Sequence, residues 1–298
     1  MVACVVVNWN GWRDTIACLR TLAIQATADD LTVIIVDNGS TNDSVAQLET
    51  FLAGVAGSRT SFHLIRNTEN VGFARGTNIG IRQGLQDGAE FVWLLNNDTE
   101  CPPDTLEKLL SVARANPNAG IVGTVLYYFD DPSKVQAWSG GRINRWLGTT
   151  IHFYAPYADG PGTYTTFASA LIRSEVFRDV GLLYEGFFMY YDDADLCLRM
   201  EKTHWAIAVA DDTAVLHKEG ASTEGVRNPF MEKTIAVSGL RLLKRHSPSP
   251  LLSQIAFVAL KLANRARRGE WAAVRAVLQA VSEYRRDGVP ANQAVTWT

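Results

Sequence analysis

Short runs of apolar, often β-branched residues alternate with longer amphipathic stretches along the N-terminal part of the chain. Val2 to Val7, Leu31 to Val36, Phe62 to Ile65, Phe91 to Leu95 and Gly120 to Leu126 read as strands. Most are apolar at every position, the pattern of strands covered on both faces. Between them, Trp12 to Ala26, Ser44 to Ala53, Gly76 to Leu85 and Asp104 to Ala115 carry apolar residues at helical spacing, with Ile16, Leu19 and Leu22 turned inward in the first. Repeated strand, helix, strand units predict an α/β fold: a doubly wound, mostly parallel sheet with helices on both faces. Ligands of such sheets sit in the crevice beyond the carboxyl ends of the strands.

Beyond Leu126 the periodicity lapses. Residues 127–165 are rich in aromatics, Gly and Pro, and predict a long ordered excursion over the sheet that contains Trp138-Ser139-Gly140-Gly141. Order returns with a strand from Phe167 to Ile172, a short helix from Ser174 to Val180, a helix carrying Asp192 to Met200, and strands at Trp205 to Ala210 and Thr213 to Leu216. Phe230 to Asp287 is helical by period, broken at Ser247-Pro248-Ser249-Pro250 and near Gly269. The expected organisation is a body over residues 1–228 and a C-terminal helical extension over 229–298.

With 298 residues, 47% of them apolar, the chain has enough material for a packed core, which excludes a disordered or disulfide-stapled class. Cys4, Cys18, Cys101 and Cys197 lack C-x-x-C spacing and read as reduced thiols. The start, Met-Val-Ala-Cys, has neither the basic residues nor the cleavage site of a signal peptide. No apolar run approaches the roughly 20 residues of a spanning helix, and the reduced thiols make a cytoplasmic protein the expectation. The net charge is −3, but from Arg241 onward 10 Lys and Arg face 3 Asp and Glu. An acidic body carries a basic tail.

The strand ends hold the candidate chemistry. Asn8-Trp9-Asn10-Gly11, Asp37-Asn38-Gly39-Ser40-Thr41 and Asn96-Asn97-Asp98 follow three of the strands, and the third strand leads into Asn67 to Asn78. Any one of these loops reads as ordinary turn chemistry, but four on one edge read as a site. Asp98, a lone carboxylate between amides after an apolar strand, suits Mg²⁺ or Mn²⁺, which bind through one or two carboxylates plus substrate phosphates. The alternative, that Asp98 caps the next helix, is weaker because Asp104 stands directly ahead of Thr105. Asp37 at its strand end has the position from which an acid accepts hydrogen bonds from a bound nucleoside. The glycines of Asn70 to Gly80 recur every fourth residue, matching neither a Walker loop nor G-x-G-x-x-G.

Met189 to Arg199 is the densest acidic cluster. At helical spacing Asp192, Asp195 and Arg199 share a face, and Arg199 can pair with Asp195. Asp193 points elsewhere, without a cation, among Phe187, Phe188, Tyr190 and Tyr191, where a carboxyl resists ionisation and is tuned toward general-base work. The competing reading is three acids complementing a helix dipole.

Taken together, V-V-N-W-N-G, V-D-N-G-S-T, N-V-G-F-A-R-G-T-N-I-G, L-L-N-N-D-T, F-F-M-Y-Y-D-D-A-D-L-C-L-R and the later V-L-H resemble, in family order, the family 2 glycosyltransferases, and within them the rhamnosyltransferase-like branch of bacterial surface polysaccharide assembly. The resemblance implies a GT-A fold and inverting transfer from a nucleotide-diphosphate sugar to a saccharide or lipid-linked acceptor. It places Asn8, Asn10, Asp37, Asn38, Arg75 and Asn78 around the nucleoside. It also puts Asn96, Asn97 and Asp98 at the D-x-D metal motif for Mn²⁺ or Mg²⁺, His217 near the metal, and Asp193 as catalytic base, with Asp195 and Arg199 as a structural pair behind it. Two departures stand out: Asn96 replaces the first D-x-D acid, and Ala168-Ser169-Ala170 replaces a Gly-Ala pair beneath the donor sugar, which leaves the sugar open. Trp138 reads either as a sugar-stacking ring or as a local core plug.

Two other classes compete. A nucleotidyltransferase would carry a Gly-rich basic loop after the first strand, and this chain does not. A nucleotide-sugar-binding protein without turnover is compatible with the weakened metal motif. Along 251–286, Leu252, Ile255, Ala259 and Leu262 form one stripe followed by Lys261, Arg265, Arg267 and Arg268. The stripe suits an anionic membrane surface, the catalytic body, or a second copy of the chain. Nucleic acid is not expected, because the basic residues are interleaved with Leu and Ala rather than with stacking aromatics.

Overall fold

The computed structural model describes residues 1–55, 57–156, 162–218 and 228–288. The N-terminal half is built from β1 (Val2–Asn8), α1 (Trp12–Ala23), β2 (Leu31–Asp37), α2 (Ser44–Gly54), β3 (Ser61–Arg66), α3 (Phe73–Gln86), β4 (Phe91–Asn96), β5 (Thr99–Glu100), α4 (Thr105–Ala115) and β6 (Ala119–Tyr128). There follow β7 (Val135–Trp138), β8 (Gly140–Asn144), β9 (Thr149–His152), β10 (Tyr164–Thr165), β11 (Ser169–Arg173), α5 (Ser174–Val180), α6 (Asp192–Met200) and β12 (Ala206–His217). Three helices, α7 (Pro229–His246), α8 (Pro250–Arg267) and α9 (Trp271–Asp287), complete the described chain.

The main sheet runs β3-β2-β1-β4-β11-β6-β12-β5, with β7 added beside β6. β3, β2, β1 and β4 are parallel, β11 is antiparallel to both its neighbours, and β12 is parallel to β6. Register decides where the polar strand ends meet: Asn8 lies opposite Asp37, and Val7 opposite Asn96, so the tips of β1, β2 and β4 share one edge. One large apolar cluster packs α1 and α4 on one face of the sheet, around Leu19, Leu22, Trp93 and Leu109. Another packs Ile81, Phe177, Phe187 and Leu196 on the other. All four cysteines are buried and unbridged.

The four-residue glycine spacing has a packing cause. A Cβ on Gly80 would stand 2.4 Å from Val5 Cγ1, and one on Gly84 would stand 2.5 Å from the Ala3 Cβ. The glycines thus seat α3 directly on β1, and the helix N-terminus arrives beside the strand tips.

The structure revises several sequence expectations. Among its described residues the excursion over 127–165 contains strands: β7 joins the main sheet, and β10, β8 and β9 form a separate antiparallel sheet. Its Gly-Gly pair, Gly140 and Gly141, lies against the backbone of Tyr164 and Ile151, a close approach that alternation cannot reveal. The two strands expected near 205–216 are one, β12, with an irregularity between Ala210 and Ala214. Asp104 does occupy the N-cap position of α4, but its carboxylate makes no cap bond and pairs with Lys108 at 3.0 Å.

The C-terminal helices pack on one another and on the body. Ser238 Oγ donates to the Met189 carbonyl at 2.8 Å, and Leu242 joins the apolar cluster that contains Phe187. In α8 the expected stripe is divided: Leu252 and Ile255 are exposed, whereas Leu262 packs toward α7 and α9. The boundary expected at 228/229 follows residues 219–227, which lie outside the described residues, as do the final residues, 289–298.

Candidate active site

The tips of β1, β2 and β4 are joined by a chain of hydrogen bonds. Asn8 Nδ2 donates to Asp37 Oδ2 at 2.7 Å, Thr15 Oγ1 donates to Asn8 Oδ1 at 2.8 Å, and Asn97 Nδ2 donates to Thr15 Oγ1 at 2.9 Å. Ser40 adds two bonds to the Asp37 carboxylate, from its backbone N–H at 3.0 Å and its hydroxyl at 2.7 Å. Asn8 and Asp37 are buried, and their polar atoms serve this network. Asn10, in a left-handed conformation, accepts from the N–H groups of Thr41 and Asn42 and ties the first loop to the second.

Beyond this network opens a cavity of about 400 Å³. Asn38, Asn96, Asn97 and Asp98 line it from the strand tips, His217 from the end of β12, and Asp192 and Asp193 from the start of α6. Five of the sequence-derived site residues are therefore brought together with Asp193: Asn38, Asn96, Asn97, Asp98 and His217. Asn8, Asn10, Asp37, Arg75, Asn78 and Trp138 do not line the cavity. Asn78 is buried, exchanging hydrogen bonds with the Leu183 backbone, and Arg75 sits beside Glu185 at 3.4 Å. Trp138 lies on β7, its N–H donating to the Phe153 carbonyl. Strand-end position singles out Asn8, Asn10 and Asp37, and the resemblance adds Arg75 and Asn78; in the structure Asn8, Asn10 and Asp37 serve the hydrogen-bond network at the strand tips.

The cavity also contains residues outside the candidate set drawn from the sequence. Trp9, Phe73, Phe167 and Phe188 supply aromatic surface. Trp9 could have been noticed as a large ring between two turn-forming asparagines. Phe188 depends on a distant contact: the Phe73 N–H donates to its carbonyl at 2.6 Å, and a Cβ on Gly72 would stand 2.6 Å from the same oxygen. Gly72, at φ 88°, meets both the backbone and the space requirement there.

At one end of the cavity His217 Nε2 lies 3.2 Å from Asp98 Oδ1 and 3.2 Å from Asn96 Nδ2. The other ring nitrogen, Nδ1, is 2.7 Å from Gln136 Oε1. An amide oxygen only accepts, so Nδ1 donates to it, and Nε2 is the ring nitrogen that stands beside Asp98 and the Asn96 amide. Two ligands on one divalent ion at bonds of about 2.1 Å stand about 3 Å apart when adjacent, so this pair fits a shared cation. Among the described residues no group of three or more His, Cys, Asp or Glu gathers as a metal cage. The donor set suits an ion that completes its shell with substrate phosphates and water.

The start of α6, which lines the same cavity, is abrupt. Tyr190 and Tyr191 both adopt left-handed backbone conformations, φ 71° and 68°, immediately ahead of the two acids. Such conformations cost non-glycine residues roughly 1 kcal/mol or more each and persist only where the surroundings impose them. Here Tyr191 Oη donates to the Gly148 carbonyl at 2.9 Å. Burial pushes the Asp193 carboxyl up to about 6, while the Ala194 N–H, 2.7 Å from Oδ1, holds it back. Asp192 rises further, to about 8, through burial and then the neighbouring Asp193 charge.

Behind these acids Asp195 is a fully buried hub. Arg199 Nε donates to it at 2.8 Å, as the spacing predicts, and Arg245 Nε and His246 Nε2 from α7 approach to 2.6 and 2.7 Å. The contributions of Arg245 and His246 were invisible in sequence because they come from the C-terminal helices. Burial alone would raise the Asp195 carboxyl, but the His246 hydrogen bond and the Arg199 and Arg245 charges outweigh it and hold it well below the usual carboxylate range.

The profile described as glycosyl transferase family 2 matches residues 3–181. A dTDP-rhamnosyl transferase, RfbF, of Shigella flexneri is 27% identical over 268 residues, covering 87% of this chain and 84% of that protein. An N-acetylglucosaminyl-diphospho-decaprenol L-rhamnosyltransferase of Mycobacterium tuberculosis is 26% identical over 222 residues, 66% of this chain and 70% of that one. In fold, the chain is similar to the mannosyltransferase PcManGT from Pyrobaculum calidifontis, solved in complex with GDP-Man and Mn²⁺, with a TM-score of 0.61 at 18% identity over 97% of this chain and 76% of that one.

Proposed function

Because the chain belongs to glycosyl transferase family 2, we propose that it transfers a sugar, with inversion, from a nucleotide-diphosphate sugar to a saccharide or lipid-linked saccharide in surface polysaccharide assembly. One observation carries this reading: the Asp98–His217 pair and Asp193, from different elements of the fold, line the same cavity. Inverting transfer needs a charge-stabilising end for the leaving group and a proton acceptor for the incoming hydroxyl, flanking one sugar. A dTDP-linked rhamnose is the first donor to try, since both relatives above are rhamnosyltransferases by name.

In this mechanism the hydrogen-bonded strand tips form a rigid floor, and Trp9, 43% exposed at the cavity, offers its face to the base. Asn38 does not read the nucleoside through its own amide, which is occupied by Asn67, Asn70, Val71 and Gly72; it fixes the loop that carries Asn70 into the cavity. Asp98 and His217 would hold Mn²⁺ or Mg²⁺, which when bound stabilises the negative charge on the departing diphosphate. Asp193 takes the proton of the acceptor hydroxyl, and its raised carboxyl suits that task near neutral pH.

Thermal unfolding with nucleotide sugars tests the donor: dTDP-rhamnose with Mn²⁺ is expected to raise the melting temperature more than either alone. The anomeric configuration of the product, read by NMR, tests inversion, and a retained configuration would exclude it. We further propose that the exposed face of α8 makes a peripheral contact with anionic membrane, where a lipid-linked acceptor would reside. Among the described residues no helix is long and apolar enough to cross a membrane.

A further inference from the structure

A second cavity, of about 530 Å³, adjoins the first. Its walls come from elements the first scarcely uses: β9 with the turn before it, Tyr164 of β10, and the facing sides of α7 and α8. Among the described residues, only Tyr190, Tyr191 and Asp193 line both cavities. The strained tyrosine pair and the carboxylate after it therefore form the partition between two chambers.

The lining of the second chamber has a definite chemistry. Thr149, Thr150 and His152 present polar groups, and Tyr164 and Phe257 present rings, the mixture of hydrogen-bonding edges and apolar faces that a sugar ring offers in return. Along α8 the wall continues from Phe257 through Lys261 and Arg265 to Arg268, about 16 Å of helix at 1.5 Å per residue. Glu232 pairs with Lys261 at 3.0 Å and with Arg265 at 2.8 Å, and Arg265 also pairs with Glu270 at 2.8 Å. Arg268 has no ion-pair partner among the described residues, and it leaves this wall with an unbalanced cation.

We propose that this second cavity is the acceptor site and that it takes a saccharide carrying a phosphate or diphosphate, with the reacting hydroxyl at Asp193 and the anionic group at Arg268. The inference rests on the glycosyltransferase reading and adds to it the place and class of the acceptor. In the step it serves, the acceptor oxygen forms a bond to the anomeric carbon and gives its proton to the Asp193 carboxylate. The bond from that carbon to the diphosphate oxygen breaks, and its electron pair leaves with the nucleoside diphosphate. Donor and acceptor then meet only at the partition, as attack opposite the leaving group requires.

The test uses the full chain and three sets of probes: monosaccharide methyl glycosides, the matching 1-phosphates, and their octyl diphosphate esters. Binding is followed by saturation-transfer NMR, and acceptor KM is measured for whichever members turn over. Phosphorylated members are expected to bind at least tenfold more tightly than neutral ones. Arg268→Ala should remove most of that preference, and Thr150→Trp, which fills the chamber, should weaken all acceptors. The Kd for nucleoside diphosphate should hold in both variants. Preference for the 1-phosphates identifies a soluble sugar phosphate, and preference for the octyl esters a lipid headgroup. Binding of neutral and phosphorylated probes alike, no binding of any phosphorylated probe, or an unchanged preference in Arg268→Ala would overturn the anionic assignment. Unchanged acceptor binding in Thr150→Trp would overturn the cavity assignment. Failure of the unaltered chain to bind any nucleotide sugar would instead remove the underlying enzymatic reading.

Discussion

Gln136 holds His217 from behind: its Oε1 accepts from Nδ1 at 2.7 Å while Nε2 faces Asp98 Oδ1 at 3.2 Å. Gln136 lies on β7 and His217 on β12, so the histidine's orientation is set by two strands that flank β6. Residues that orient a ligating imidazole typically change metal affinity by about 10- to 100-fold when removed. Gln136→Met is therefore expected to weaken Mn²⁺ binding within that range in the presence of nucleoside diphosphate, and Asp98→Asn or His217→Ala to weaken it more. Calorimetric titration of Mn²⁺ measures all three, and unaltered affinity in Asp98→Asn would reject that residue as a ligand.

Asp193→Asn keeps the shape of the partition but removes the proton acceptor. Transfer is expected to fall by about 10²–10⁴-fold, with nucleotide affinity nearly intact. In the unaltered protein kcat/KM should rise with pH through about 6 and then level, because the base acts only when deprotonated. The stability effect has the opposite direction. Asp192 and Asp193 keep protons that the unfolded chain releases near pH 4, so their contribution declines as pH rises from there toward about 8. Asp192→Asn should flatten that decline, which urea unfolding at pH 5, 7 and 9 would reveal.

How far the sequence exposes this architecture depends on the range of the interactions involved. The parallel strands and their helices follow from local periodicity, and the shared edge of Asn8, Asp37 and Asn96 follows once the strands are parallel and in register. The spacing of Asp195 and Arg199 was equally readable. The small sheet over 140–165 was not, because its strands are short and held by close backbone approaches at Gly140 and Gly141. Arg245 and His246 were also hidden, since nothing near them in the chain indicates that α7 returns to Asp195. The resemblance reached Asp98, Asp193 and His217 but also selected Asn78, whose amide serves the Leu183 backbone.

Asp195 joins the catalytic body to the C-terminal helices. Its side chain is fully buried, and Arg199, Arg245 and His246 are each largely buried around it. Removing one member of such a cluster leaves uncompensated buried charge, a loss of about 3–5 kcal/mol. Asp195→Ala should lose that much in urea unfolding at pH 7. Because the carboxyl is held below its ordinary value, its contribution is present above about pH 4 and is lost as pH falls through the folded value. The difference between the unaltered chain and Asp195→Ala should accordingly shrink in acid, and a difference independent of pH would show that packing rather than charge is responsible.

The exposed side of α8 supports the last expectation. Leu251, Leu252 and Ile255 are 70%, 63% and 59% exposed, while Phe257 and Arg265 are buried. Around a helix with 3.6 residues per turn, the exposed leucines and isoleucine lie roughly opposite the Phe257, Lys261 and Arg268 wall of the second cavity. The two faces can therefore be altered separately. Basic residues elsewhere on the C-terminal helices, among them Arg267 at the end of α8 and Arg275 on α9, add attraction to an anionic surface that falls with ionic strength. Flotation with phosphatidylglycerol-containing liposomes should recover the intact chain in the lipid fraction at low salt and less of it at high salt. The double variant Leu252→Glu, Ile255→Glu should stay behind while retaining nucleotide binding. Equal recovery of both proteins with the liposomes would remove α8 as the contact, and absence of both would remove the membrane association itself.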